Sequence, residues 1–369
     1  MQLLNLFFQN FFSFILLISF IVFIHEFGHF FVARLCGVKV DAFAIGFGRE
    51  LWGFTDKKNT RWKICLIPLG GYVKMFGDKN EASFPDLEQA NKMSEAEKKQ
   101  SFIFKNVYQR IAIVAAGPIA NFILTIVIFT FLFRLNGLNS FLPIVAEVLP
   151  ESAAFEAGFK KDDKILEIND REIKNFDEVR ELVSLNPEQE FIFKIQRGEK
   201  IFTINITPKI QVRKDLFGDE VKMPTLGISA SEVAHEDLNF GKSFVEANKE
   251  TYKLSIAILK ATGELITGKR SVEELGGPIK IAKYTGKTVE MGVYAVLWFM
   301  AMISLNLGVM NLLPVPVLDG GHLIFYIFEA IFRKPLSPKI QQNAFKLGMA
   351  LVLSLMIFTT FNDLKQLLK

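Results

Sequence analysis

Two histidines and two carboxylates carry the chemistry available to this chain. His25, Glu26 and His29 fall in "IHEFGHFF", and Asp319 falls in "NLLPVPVLDGGH". On a helix, residues four apart share a face, so His25 and His29 point the same way and can hold one metal ion. Glu26 lies beside them, placed to take a proton from a water that such an ion activates. Zinc brings the pKa of water to about 7, which makes hydroxide available at neutral pH and points to hydrolysis. A catalytic zinc takes three protein ligands and keeps one position open. The chain has only four histidines, His25, His29, His235 and His322. The candidates for a third ligand are thus few, and Asp319 is expected, because Pro314, Pro316, Gly320 and Gly321 break the helix around it and could bend it inward, with His322 the runner-up. His235 reads as a surface residue. A histidine pair packed between helices without a metal is the plain alternative. Polar groups inside an apolar span are costly and usually functional, which favours the metal.

The elements that must position these residues are strongly apolar. Half of the 369 residues are hydrophobic, 38 are Phe and the mean hydropathy is +0.28, yet 22% are charged. Apolar spans joined by charged, water-facing pieces reconcile these figures. Four runs are long enough to cross a bilayer: about Leu3 to Ala33, Ile111 to Phe133, Val293 to Leu313 and Phe345 to Phe361. Nothing basic precedes the first run, so a span is expected there rather than a cleaved leader. The net charge of +4 and the lack of a basic, aromatic-interleaved patch argue against nucleic acid as a partner. Cys36 and Cys65 lack C-x-x-C spacing and are expected to be free thiols.

Basic residues suggest an orientation. Arg34, Lys39, Arg49, Lys57, Lys58, Arg61, Lys63 and Lys74 follow the first run, and Arg333, Lys334 and Lys339 lie between the third and fourth. The positive-inside rule puts both loops in the cytoplasm and both termini outside, along with the long segment from about 135 to 290. In a bacterial inner membrane that outside is the periplasm. Asp319 and the His25/His29 pair would then meet near the cytoplasmic side.

Two segments between spans carry their own pattern. "VKVDAFAIGFGRELWGF" and "TRWKICLIPLGGYVKM" flank the polar turn Asp56–Asn59 and predict a membrane-associated β-hairpin, whose backbone must be satisfied by protein. The piece from Asn80 to Gln100 is polar and reads as a loop. The external segment predicts a short helix and a strand ending near Asn169–Asp170, a helix in "FDEVRELVSL", and strands "EFIFKIQRG" and "KIFTINITPK" turning at Arg197–Glu199. "LGIS" adds a strand. Asp237 to Gly268 predicts an amphipathic helix, lying on the surface of the fold or on the membrane, followed by a loop at "GGPIKIAKYTG".

This external pattern resembles a PDZ domain of the circularly permuted bacterial type through Ser152, Ala154, Ala157, Gly158, Asp163, Ile165, Ile168 and Asn169. Asp162 stands where that family usually has glycine, and Asp tolerates a left-handed turn. With H-E-F-G-H in the first span, G-P-I-A-N-F in the second and P-x-P-x-L-D-G-G-H after the third, the whole chain resembles the site-2 protease family of intramembrane zinc metalloproteases. The similarity is greatest to its bacterial regulator of sigma-E protease branch, whose members often carry two PDZ domains where one is seen here. The resemblance implies a membrane α-helical fold of four transmembrane helices with an inserted α+β PDZ domain. Its pieces are 1–36 (first helix), 37–109 (cytoplasmic loop and hairpin), 110–134 (second helix), 135–232 (PDZ), 233–290 (juxtamembrane region) and 291–369 (third and fourth helices). It implies Zn2+ on His25, His29 and Asp319, Glu26 as catalytic base, and Asn306, Asn311, Pro314 and Pro316 as substrate-binding positions. It also implies cleavage within the transmembrane segment of a single-span protein, such as an anti-sigma factor or a remnant signal peptide.

A helical substrate must unwind before its carbonyls can be attacked, and an edge strand between Val38 and Met75 could capture the unwound segment, with Arg61 to Ile67 the stretch to probe. The PDZ-like region either docks a C-terminal peptide or excludes bulky substrates. Two other classes compete: a membrane adaptor with a structural or inactive metal site, and a zinc-dependent transporter. The intact Glu26 and the H-E-x-x-H spacing favour hydrolysis.

Overall fold

A computed structural model describes residues 2–78, 92–187, 189–214, 220–230, 233–268 and 276–367. The chain forms two compact units, one from Met1–Leu132 with Ser243–Lys369 and the other from Phe133–Lys242.

In hydrocarbon every backbone polar group must be satisfied internally, so long apolar runs become helices. Among the described residues, four helices are long and apolar enough to cross a membrane: Phe11–Leu35, Val107–Asn136, Val293–Asn311 and Pro338–Lys365. The fourth helix runs from Pro338 to Leu367, well past the expected Phe345–Phe361, because its polar ends continue the helical turns beyond the apolar window. The second and third spans meet through small and hydroxylated side chains. Thr125 Oγ1 donates to the Ala301 carbonyl at 3.1 Å, Ser304 Oγ donates to the Asn121 carbonyl at 3.1 Å, and Gly308 faces Pro118 and Asn121. Such residues let two helix backbones approach closely.

The hairpin comprises strands Val40–Thr55 and Arg61–Met75, and each strand bends so that four segments pair. Their order is Gly71–Met75, Val40–Ile45, Arg61–Ile64, Trp52–Thr55. Gly46 sits at one bend with φ +84°, where a Cβ would strike the Ile67 carbonyl. Phe43 stacks on Trp62 at 4.5 Å between centroids, and Phe30 of the first span packs edge-on against both. At the turn, Arg34 of the first span donates to Asp56 and Thr60, and Thr60 Oγ1 donates to the Val40 carbonyl at 2.8 Å. Phe47, Leu51, Trp52, Phe54, Leu66 and Ile67 are exposed.

Two sequence expectations need correction. The Asn80–Gln100 loop contains a helix, Glu95–Gln100, capped reciprocally by Ser94 and Glu97. The S-x-x-E pattern was its signal. Residues 80–91 of that expected loop lie outside the described residues. "GGPIKIAKYTG" is a helix, Pro278–Glu290, with proline in its first turn. Asp363 near the end of the fourth span caps it, accepting from the backbone N–H of Gly277, Ile279 and Lys280 at 2.9–3.1 Å. That cap lies too far along the chain for local pattern to reveal. The helix packs on the first and third spans through Ile281 and Tyr284 against Leu17, Ile21 and Phe299.

In the second unit, a four-stranded sheet runs Arg171–Glu172, Lys164–Ile168, Phe191–Arg197, Lys200–Ile206, with helix Phe176–Leu185 where the sequence predicts it. Ile228–Ser229 of "LGIS" pairs with Glu147–Val148. Phe159, Ile165, Ile168, Phe191, Phe193 and Ile195 fill the core. Asp162 adopts φ +70°, the left-handed turn expected of it. Asp163 is fully buried and takes a two-pronged pair from Arg197, at 2.6 and 2.7 Å. His235 is exposed and donates to Asn139 Oδ1 at 2.6 Å.

Candidate active site

The helical repeat puts His25 and His29 on one face of the first span, where both are largely buried, 7% and 8% exposed. Their Nε2 atoms lie 3.3 Å apart. Asp319 begins the helix Asp319–Phe332, and its Oδ2 lies 3.2 Å from His25 Nε2 and 3.5 Å from His29 Nε2. Glycines after Asp319 make this possible. A Cβ at Gly320 would strike the Leu312 and Leu313 carbonyls, and one at Gly321 would strike Val315 and Pro316. The turn from Leu312 to Leu318 therefore lies flat on the helix start and brings the carboxylate back under the first span.

The first and second spans cross at small residues. A Cβ on Gly28 would meet the Ala116 carbonyl and the Ala120 side chain. A Cβ on Gly117 would strike the His29 ring at Nε2 and Cε1. The ring lies on this bare backbone, and its Nδ1–H donates to the Ile113 carbonyl at 2.9 Å. A carbonyl can only accept, so Nδ1 carries the proton and the lone pair of Nε2 faces the cluster. Asn121, one helical turn beyond Gly117 and fully buried, sets its amide 3.1 Å from His25 Nδ1.

This donor set fits a metal ion. His25, His29 and Asp319 each offer one ligand atom, all within 4.8 Å of one another. Asp319 Oδ2 is buried and, among the described residues, has no hydrogen-bond partner in spite of its two imidazole neighbours. A buried carboxylate oxygen and two imidazole nitrogens converging on one point suit a cation. Two imidazole nitrogens and one carboxylate oxygen are a catalytic zinc set, short of the four ligands of a structural site.

A cavity of about 220 Å³ opens beside the cluster. His25, Glu26, His29 and Asp319 line it, with Asn311 and His322. Tyr72, Val73 and Met75 of the hairpin form another wall, with Gly71 opposite Glu26: a Cβ on Gly71 would come within 3.1 Å of Glu26 Cγ. His322 lines the cavity outside the three-residue cluster and packs edge-on against Phe325. Of the expected substrate positions, Asn311 is in this wall. Asn306 is exposed and away from it, because five residues of helix turn it to another face. Pro314 and Pro316 are also outside the lining and shape the turn that carries Asp319. Gly28, Gly71 and the roles of Gly117 and Asn121 escape the sequence reading. A glycine between the two histidines and another in "GPIAN" were the available signals.

The model of the peptidase family M50 matches residues 13–355. The chain belongs to peptidase family M50. It is 41% identical over 359 residues to a protein of Agrobacterium fabrum named "Putative zinc metalloprotease", covering 96% of this chain and 95% of that one. A protein of the same printed name from Rickettsia conorii is 40% identical over 358 residues, covering 96% and 98%. One from Campylobacter jejuni is 38% identical over 364 residues, covering 97% and 94%. The chain is thus a multi-pass membrane zinc metalloprotease, and the cluster fits the cofactor of its family.

Proposed function

We propose that this M50 peptidase hydrolyses a peptide bond within the transmembrane segment of single-span membrane proteins, with His25, His29 and Asp319 holding the zinc. The observation that carries this is the depth of the cluster: two ligands in a membrane helix, the third folded back beneath it, and a cavity beside them. When bound, zinc polarises the scissile carbonyl and makes water nucleophilic near neutral pH. Glu26 accepts the proton of the attacking water and returns it to the leaving amine. Asn311, in the cavity wall, offers an amide to the unwound substrate backbone.

The hairpin supports capture by strand addition, on a different stretch from the one the sequence suggests. Arg61–Ile64 is paired on both sides. Gly71–Met75 is an edge among the described residues, and it lines the cavity. An extended segment laid along this edge passes Glu26. Regulated intramembrane proteolysis of an anti-sigma factor and removal of remnant signal peptides both fit such a site. The second unit, read as a PDZ domain, either docks a freed C-terminus or excludes bulky substrates. Deleting residues 141–230 separates these, since a gate loses selectivity and a docking site loses activity. In a bacterial inner membrane, the basic loops favour an orientation with both termini and this unit in the periplasm.

The deciding experiment uses purified enzyme and a single-span model substrate in liposomes. Glu26→Gln abolishes cleavage and retains zinc, whereas His29→Ala loses both. Cleavage by Glu26→Gln overturns the assignment of the base, and cleavage confined to soluble peptides overturns the substrate class.

A further inference from the structure

An imidazole can ligate through one nitrogen only when the proton sits on the other, so each ligand histidine needs an acceptor at its far nitrogen. His29 has one in the Ile113 carbonyl. His25 Nδ1 instead meets the side-chain amide of Asn121, with Nδ2 at 3.1 Å. The oxygen end of that amide, Oδ1, is buried and has no hydrogen-bond partner among the described residues. An amide facing the ring with its nitrogen donates to Nδ1, which leaves the proton on Nε2, the atom that points at Asp319. That orientation suits a metal-free cluster and blocks His25 as a ligand. A half-turn of the amide's terminal torsion brings Oδ1 to the ring, where it accepts from Nδ1–H and frees the Nε2 lone pair.

We propose that Asn121 is a positioning residue whose amide oxygen accepts from His25 Nδ1–H and so selects the ring form able to hold zinc. The residue is held for this role. Its backbone carbonyl accepts from Thr125 Oγ1 at 2.9 Å and from Ser304 Oγ at 3.1 Å, which fixes it between the second and third spans. Packing alone asks nothing of a buried amide, and an apolar side chain of the same shape would fill the space without leaving Oδ1 unpartnered. Ile113 and Asn121 lie two helical turns apart on the second span, as His25 and His29 lie one turn apart on the first. One helix thereby orients both imidazoles.

The inference rests on the zinc reading above, and its test separates the two. Zinc affinity is measured by chelator competition on full-length enzyme in detergent, for wild type, Asn121→Leu, Asn121→Asp and His29→Ala. Nitrogen-15 shifts of the labelled histidines report which ring nitrogen carries the proton. Asn121→Leu lowers affinity about 10- to 100-fold, as losses of such outer partners typically do. Asn121→Asp, a fixed acceptor of the same shape, binds zinc at least as tightly as wild type. With zinc bound, the wild-type His25 signal shows Nδ1 protonated. Wild-type affinity in Asn121→Leu, or an equal loss in Asn121→Asp, overturns the proposal. Should Asn121→Leu fail to fold, ligation of His25 through Nδ1 in the wild type overturns it alone. Full zinc retention by His29→Ala instead overturns the zinc site itself.

Discussion

His29 and Gly117 form a single contact: the imidazole lies where the glycine has no side chain, and its Nδ1–H reaches the Ile113 carbonyl on the same helix at 2.9 Å. Any Cβ at position 117 displaces the ring. Gly117→Ala is therefore expected to cut zinc occupancy and hydrolysis together, more severely than its effect on helix propensity would suggest, since alanine is the better helix former. Metal analysis beside circular dichroism checks this. Normal helicity with little zinc is the expected result, and normal zinc would show that the ring has another place to go.

Gly71 faces Glu26 from the hairpin edge, with room for nothing larger: a Cβ there also meets the Ala44 carbonyl and comes within 2.9 Å of Val22 Cγ1. Gly71→Ala pushes the edge strand away from the base while leaving the three metal-binding side chains alone. Turnover of the model substrate is expected to slow by about tenfold or more, the scale at which misplacement of reacting groups acts, with zinc content unchanged. Loss of zinc in this variant would mean that the hairpin supports the ligands themselves.

Asp363 joins the fourth span to helix Pro278–Glu290 through three backbone N–H groups and is itself buried. Asp363→Ala leaves those donors unsatisfied and is expected to cost about 1–3 kcal/mol. Asp363→Asn keeps one acceptor and loses less. The unfolding midpoint in detergent reads this order, and equal midpoints for both variants and wild type would remove the cap from the account of stability.

The fold was legible wherever local pattern decides it. Hydropathy marks the spans, alternation marks the hairpin, and the helix at Phe176–Leu185 follows from its period. The spacing of His25 and His29 exposes half of the metal cluster, and the helix breakers around Asp319 bring that residue under suspicion. What stays hidden depends on contacts between distant segments. Asp363 caps a helix that begins far upstream in the chain, Gly117 matters only because His29 rests on it, and the accessible hairpin edge is Gly71–Met75 because each strand doubles back and pairs twice. Asn306 and Asn311 look equivalent in sequence, both polar in an apolar helix; five residues of rotation separate the one in the cavity wall from the one outside it.

The hairpin turn offers a pH-dependent test. Burial raises the Asp56 carboxyl, but hydrogen bonds from the Thr60 backbone, the Trp62 indole and the Lys58 backbone, with Arg34 nearby, outweigh it and hold the group below the ordinary carboxylate range. A group with a lowered pKa in the fold stabilises fully above its unfolded value, about pH 4, and loses that contribution as pH falls through the lower folded value. Docking of the turn onto Arg34 is thus expected to be constant from neutral pH down to about pH 4 and to loosen below it. Hydrogen exchange of the backbone around residues 56–60, corrected for its intrinsic pH dependence, should show protection declining in that acid window. In Asp56→Asn protection should be lower throughout and flat with pH. A wild-type decline centred near pH 6 would point to a histidine instead and remove Asp56 as the cause.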